Sequence, residues 1–196
     1  MHDYAVWDLE TTGLNPNRDV ITELGWLRVI GGIPQEPHAI LVNCGVPVPA
    51  EVAAITGITT DLLLDAGWTE TVALGAFFAD TADLPLVGHN ILRFDANFLE
   101  AACRRVGIEP PHRRRYIDTA AEYKARCLGI RRYDESYLLF AQRVLERRAP
   151  GLKYSLTHCC REYGIPTADV TAHRAGGDVV LTQRLYEKLC ASEVVV

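Results

Sequence analysis

Residues 6–14 read "VWDLETTGL". Val6, Trp7 and Leu9 make this an apolar strand, yet Asp8 and Glu10 interrupt it. Strand side chains alternate between faces, so both carboxylates point the same way, roughly 7 Å apart along the backbone. Two like charges on one face of a buried strand resist burial unless something cationic lies between them. Taken alone, the motif fits equally well a strand end at the surface, with ETTG opening a turn. The rest of the chain decides.

Working outward, "DYAVWDLE" reads as a first strand, "DVITELGWLRVIGG" as a second and "PHAILVNCG" as a third. The turn residues between them (Gly13, Asn15, Pro16; Gly31, Gly32, Pro34) predict an antiparallel meander. "LPLVGHN" is a short, wholly apolar strand of the parallel type, and "RYIDT" makes a fifth. "ITGITTDLLLDAG" predicts a loop and a short helix capped by Thr59 or Thr60. Helical spacing follows in "TETVALGAFFADTA" and in "FDANFLEAACRRVG", whose buried face is Phe94, Phe98, Leu99 and Ala102 and whose stop is Gly107. "AAEYKARC", "DESYLLFAQRVLERR", "SLTHCCREYG" and "GDVVLTQRLYEKLCA" complete the helices. The expected fold is α/β: a mixed five-stranded sheet, a three-strand antiparallel meander plus parallel strands, flanked by helices. A single domain is expected over residues 1–196.

With 196 residues, 48% of them hydrophobic, the chain is long enough to bury a substantial core. Its 25 acids against 20 bases leave a net charge of −5, which excludes a protein that grips long duplex with its whole surface. No apolar run approaches the ~18 residues of a membrane span. The N-terminus runs straight into a strand pattern with no targeting segment, so a cytoplasmic location is expected. Six cysteines without a CxxC pair read as reduced thiols, and "HCC" at 158–160 reads as helix core rather than a zinc site. Walker A, GxGxxG, GxSxG and HExxH motifs are all absent. The clusters Arg113–Arg115, Arg131–Arg132 and Arg147–Arg148 read as solvated faces, one of which could follow the phosphates of a single strand.

Three further charged side chains sit at element edges. Asp95 lies at the start of the helix after the fourth strand, and His173 and Asp178 bracket the start of the last helix. Five residues of helix would rotate Asp178 about 140° away from His173. Convergence therefore requires His173 in the preceding loop and Asp178 in the first turns, with Gly176–Gly177 permitting the break.

"DLETTGL", "HNILRFDANFLE" and "HRAGGD", in that order and with "VITELGWLRV", "ITGITTDLL", "IDT" and "YSLTHCCREYGI" between them, resemble the DnaQ-like 3′–5′ exonucleases of the DEDDh type. This is the superfamily of the proofreading subunits of bacterial replicative polymerases. The resemblance runs from about Tyr4 to Leu189 and implies an RNase H-like fold. It implies that Asp8, Glu10, Asp95 and Asp178 hold two divalent ions, Mg²⁺ or Mn²⁺, and that His173 is the general base. Four hard oxygen donors suit those ions, and a histidine ordinarily titrates near neutral pH. The implied activity releases nucleoside monophosphates from 3′ ends of single-stranded or frayed DNA. RNA trimming stays open, since RNA-trimming relatives share the catalytic set. A catalytically silent nucleic-acid-binding module is the competing class, but its mark, loss of a carboxylate or of the histidine, is absent.

By the same resemblance, Thr11 and Leu14 would touch the 3′-terminal nucleotide and the loop Thr56, Gly57, Ile58 would pack on its base. His89 and Asn90 would order the second motif, and Asp118 reads as a structural acid. Arg93 fills one extra position in "HNILRFD", where it would clamp a phosphate or simply stand exposed. Glycine in "HRAGGD" suggests a mobile His173 loop. Residues 133–149 exceed the usual connection and would be core or an interface for a protein partner. Only "SEVVV" follows the last helix, which favours a free-standing nuclease over a tightly held polymerase subunit.

Overall fold

Apolar residues on both faces let the first acidic stretch become β1 (Tyr4–Thr11), near the middle of the sheet. The computed structural model describes residues 3–171 and 173–191, so the "SEVVV" segment lies outside the described residues. The other strands are β2 (Ile21–Ile30), β3 (Ile33–Pro34), β4 (His38–Leu41), β5 (Leu86–Gly88) and β6 (Tyr116–Asp118). Their order is β3-β2-β1-β5-β6. β1 is antiparallel to β2 and parallel to β5, and β5 is parallel to β6.

The sheet has six strands rather than the expected five because the third arrives in pieces. β3 and β4 both pair with β2, one against Val29–Ile30 and the other against Glu23–Trp26. Pro37, which has no amide to give a ladder, lies in the gap between them.

Among the described residues the helices are α1 (Ala50–Thr56), α2 (Thr60–Ala66), α3 (Glu70–Thr81), α4 (Asp95–Val106), α5 (Thr119–Leu128), α6 (Tyr137–Glu146), α7 (Leu156–Glu162) and α8 (Ala175–Ala191). None is long and apolar enough to cross a membrane. α1, not expected from the sequence, begins after Pro49, a residue well suited to a helix start. Thr59 is the cap of α2, its hydroxyl accepting from the Leu62 amide at 3.1 Å. Gly107, left-handed at φ 71°, ends α4 as expected.

Alternation along β1 and β2 splits the core in two. Tyr4, Val6, Leu27 and Val29 pack with Val179 of α8 on one face. Ala5, Trp7, Leu9, Leu24 and Trp26 pack on the other, with Phe77 of α3 and Phe98 and Leu99 of α4. Cys159 and Cys160 are fully buried beside Leu181, Leu185 and Leu189, the packing role expected of "HCC". The long connection is core on one side: Phe140, Ala141, Val144 and Leu145 of α6 join the main cluster. Tyr133 and Leu139 stay exposed.

Asp118, fully buried at the end of β6, ties the sheet to the loop that leads into α4. Its carboxylate accepts from the amides of Asn90 and Leu92 on that loop, each at 3.0 Å, and from Ala120 and Ala121 at the start of α5. Burial nonetheless pushes its pKa up to about 6. Replacing Asp118 with alanine strands several buried amides. The expected loss is about 3–5 kcal/mol of unfolding free energy, read as a lowered urea midpoint. Asp118→Asn, which keeps one acceptor oxygen, should lose less. An alanine variant within 1 kcal/mol of the parent would refute this role.

Candidate active site

Asp8 and Glu10 leave β1 on the face covered by α8. Directly opposite them on β2 stand Gly25 and Glu23. Position 25 has no room for a side chain, because a Cβ there would lie 2.6 Å from the carbonyl carbon of Ala175. The first turn of α8 thus rests on the strand itself. Asp178, in that turn, brings a carboxylate oxygen within 4.8 Å of oxygens from both Asp8 and Glu10. Asp95, the first residue of α4, is buried outside this tight group and accepts the Leu9 amide at 3.2 Å. Its charge still acts on Asp8 and Glu10.

Such crowding opposes ionisation. Asp8 is held well above the usual carboxylate range, first by burial and then by Asp95, Asp178, Glu10 and Glu23. Burial and the charges of Asp178, Glu23 and Asp95 lift Glu10 to about 8 against some relief from Arg174. Burial lifts Asp95 to about 7, its amide hydrogen bonds pulling the other way. Asp178 is raised by burial and partly restored by its neighbour His173. A set of converging, half-buried oxygens that repel one another fits hard divalent cations, which would relieve the repulsion.

Two residues not singled out from the sequence complete the frame. Glu23 is 1% exposed, and Arg174 reaches it with Nε at 3.1 Å from both carboxylate oxygens and Nη2 at 2.5 Å from one. The Ala175 amide donates to the same carboxylate at 2.8 Å, so Glu23 also holds the first amide of α8. An acid in a strand among the apolar Ile21, Leu24 and Trp26, and an arginine directly after His173, were the available signs.

His173 is exposed and left-handed, with φ 57°, in the turn before α8. The break therefore lies at His173, and Gly176 and Gly177 are helical rather than hinge residues. A Cβ on Gly177 would meet the Thr171 carbonyl oxygen at 2.2 Å, so that glycine serves close packing of the preceding loop, not the mobility expected of it.

The remaining candidates separate by exposure. Leu14 is 84% exposed and Arg93 is exposed, its Nη1 3.4 Å from the Tyr154 hydroxyl. Thr11 is buried and donates to the Gly13 carbonyl. Thr56 and Gly57 end α1, and Ile58 is wholly buried, so this loop offers a base no Ile58 surface. His89 lies between Thr119 Oγ1 and the Tyr154 carbonyl, at 2.9 and 2.8 Å, and burial lowers its pKa to about 4. Asn90, left-handed at φ 61°, is tied to Asp118.

The family model described as "Exonuclease" matches residues 5–186. A Mycobacterium tuberculosis protein named for a bifunctional exonuclease/endonuclease is 40% identical over 114 residues, 55% of this chain and 17% of that one. The DNA polymerase III subunit epsilon of Aquifex aeolicus is 29% identical over 187 residues, 95% of this chain and 79% of that one. The chain spans between 7% and 17% of the length of the first three curated relatives. Among solved structures, E. coli exonuclease I in complex with a dT13 oligonucleotide superposes with a TM-score of 0.74 at 20% identity, over 98% of this chain and 41% of that one.

The raised carboxylates give a signed expectation for protein kept in EDTA. A carboxylate whose folded pKa lies above its unfolded value contributes stability below about pH 4 that is lost as pH rises through the folded value. With Asp95 near 7 and Glu10 near 8, the melting temperature should fall by several degrees between pH 5 and 8.5. Millimolar Mn²⁺ should flatten that slope, and Asp8→Asn should reduce it. A melting temperature that rises over the same interval in EDTA would contradict the cluster's electrostatics.

Proposed function

Because the chain belongs to the exonuclease family, we propose that it removes nucleoside monophosphates one at a time from the 3′ end of a nucleic acid strand, with two divalent ions held by Asp8, Glu10, Asp95 and Asp178. The observation that carries this reading is the approach of the Asp8, Glu10 and Asp178 oxygens within 4.8 Å, with Asp95 buried beside them. When bound, the ions would neutralise the cluster and stabilise charge on the entering and leaving oxygens of an in-line displacement.

The chain's own residues supply the rest. His173, exposed beside Asp178, takes the proton from the attacking water. Water adds to phosphorus, the bond to the 3′ oxygen breaks, and that oxygen is protonated as the new 3′ end. Asp178 accepts a hydrogen bond from the His173 backbone, and the Glu23–Arg174 pair fixes the turn that carries His173. Leu14 and Arg93 stand exposed next to the acidic residues in sequence, available to a terminal base and a phosphate. DNA is placed first on the likeness to a DNA polymerase III subunit.

Matched 5′-labelled single strands of DNA and RNA, incubated with Mn²⁺ or EDTA, test this directly. A one-nucleotide ladder growing from the 3′ end on DNA, absent in EDTA, is expected. A ladder on RNA alone would overturn the DNA assignment and leave the chemistry standing.

Asp8→Asn should abolish cleavage without unfolding the protein, since it relieves repulsion in the metal-free state. A variant that keeps a tenth of the parent rate would remove Asp8 from the metal set. His173→Ala should retain Mn²⁺ binding by calorimetry and lose roughly 10²–10⁴-fold in rate, the usual contribution of a positioned base. A rate within threefold of wild type would exclude His173 from the mechanism.

A further inference from the structure

At the end of the parallel strands opposite the carboxylates lies a cavity of about 1140 Å³. It opens where β5 and β6 begin, beside Pro85 and Tyr116, and its walls include the last turns of α8 and the turn after α5. From Asp178 to Leu189, at its edge, α8 advances roughly 16 Å. The cavity is therefore separate from the catalytic cluster.

Its lining divides by chemistry. Ile117, Ile130 and Phe140 give it apolar walls, and five arginines face two acids, Asp83 and Glu122. Two of the arginines are committed to backbone: Arg115 donates to the Thr81 and Leu84 carbonyls and Arg126 to that of Leu189. Arg114, Arg131 and Arg132 are exposed and form no ion pair among the described residues. Arg132 lies over the Tyr137 ring, and the nearby Glu135 carboxylate is engaged by Arg143. Three guanidinium groups without a salt bridge among the described residues, beside a cavity with both polar and apolar walls, stand out in a chain whose net charge is −5.

We propose that this cavity docks an acidic segment of a partner protein, its apolar side chains filling the cavity and its carboxylates meeting Arg114, Arg131 and Arg132. Guanidinium groups bind carboxylates through paired donors, and arginine beside aromatic rings is the composition enriched at protein interfaces. A nucleic acid strand fits less well. Phosphates need a continuous basic track, and this cavity lies at the far end of the sheet from the site that would take a 3′ end.

The test selects a phage-displayed library of random dodecapeptides on the full chain and on Arg114→Glu/Arg131→Glu/Arg132→Glu. Wild type should enrich peptides combining Asp or Glu with Phe, Leu, Ile or Trp. The most enriched, made synthetically with a fluorophore, should bind the triple variant at least tenfold more weakly, with the exonuclease rate within twofold. If the triple variant does not fold, Arg131→Glu alone should weaken the peptide about threefold. No enrichment, or equal enrichment on both proteins, overturns the proposal. A labelled dT12 strand in EDTA that loses affinity for the variant, without peptide enrichment, overturns it in favour of nucleic acid. Peptide binding does not depend on cleavage, so failure of the exonuclease reading would show in the nuclease assay alone.

Discussion

The backbone of Ala175 lies against Gly25 with nothing between them, and the acidic cluster depends on that contact. α8 must sit low on the sheet for Asp178 to reach the oxygens of Asp8 and Glu10. A side chain at position 25 would hold the helix away from the strand. The arrangement is electrostatically unfavourable in itself, since it gathers like charges where burial already opposes ionisation. The Glu23–Arg174 pair works against that repulsion from the adjoining position, drawing the start of α8 onto β2 through two guanidinium nitrogens and a backbone amide. Attraction between residues 23 and 174 thus holds together what repulsion among residues 8, 10 and 178 would part.

Much of this was legible in the sequence because periodicity and chemistry agreed. β1 is apolar on both faces apart from its two acids, Gly107 stops α4, Thr59 caps α2, and Asp95 and Asp178 stand in the first turns of α4 and α8. Asp118, read as a structural acid, accepts hydrogen bonds from four backbone amides. The six-strand count was less legible. Whether β3 and β4 form one strand or two depends on a local interruption near Pro37 that hydropathy does not register.

Other features were missed because they depend on contacts between distant residues. Glu23 lies in an apolar strand, and nothing local indicates that an arginine 151 positions away will meet it. Gly177 was read as freedom of the chain when it is crowding, since the space where its Cβ would stand is taken by Thr171. In each case the residue type was informative but its reason was supplied by a neighbour elsewhere in the chain.

The carboxylates enter the site from positions 8, 95 and 178, and the last of them sits on the final helix described. During synthesis the chain emerges N-terminal end first, at about 5–20 residues per second, so β1 is available seconds before α8. β1 cannot gain its parallel neighbour β5 until about eighty more residues have been added. A nascent chain presents Asp8 and Glu10 early but has no Asp178 to complete their cluster. The order of the chain leaves the acidic cluster unassembled until α8 has been synthesised.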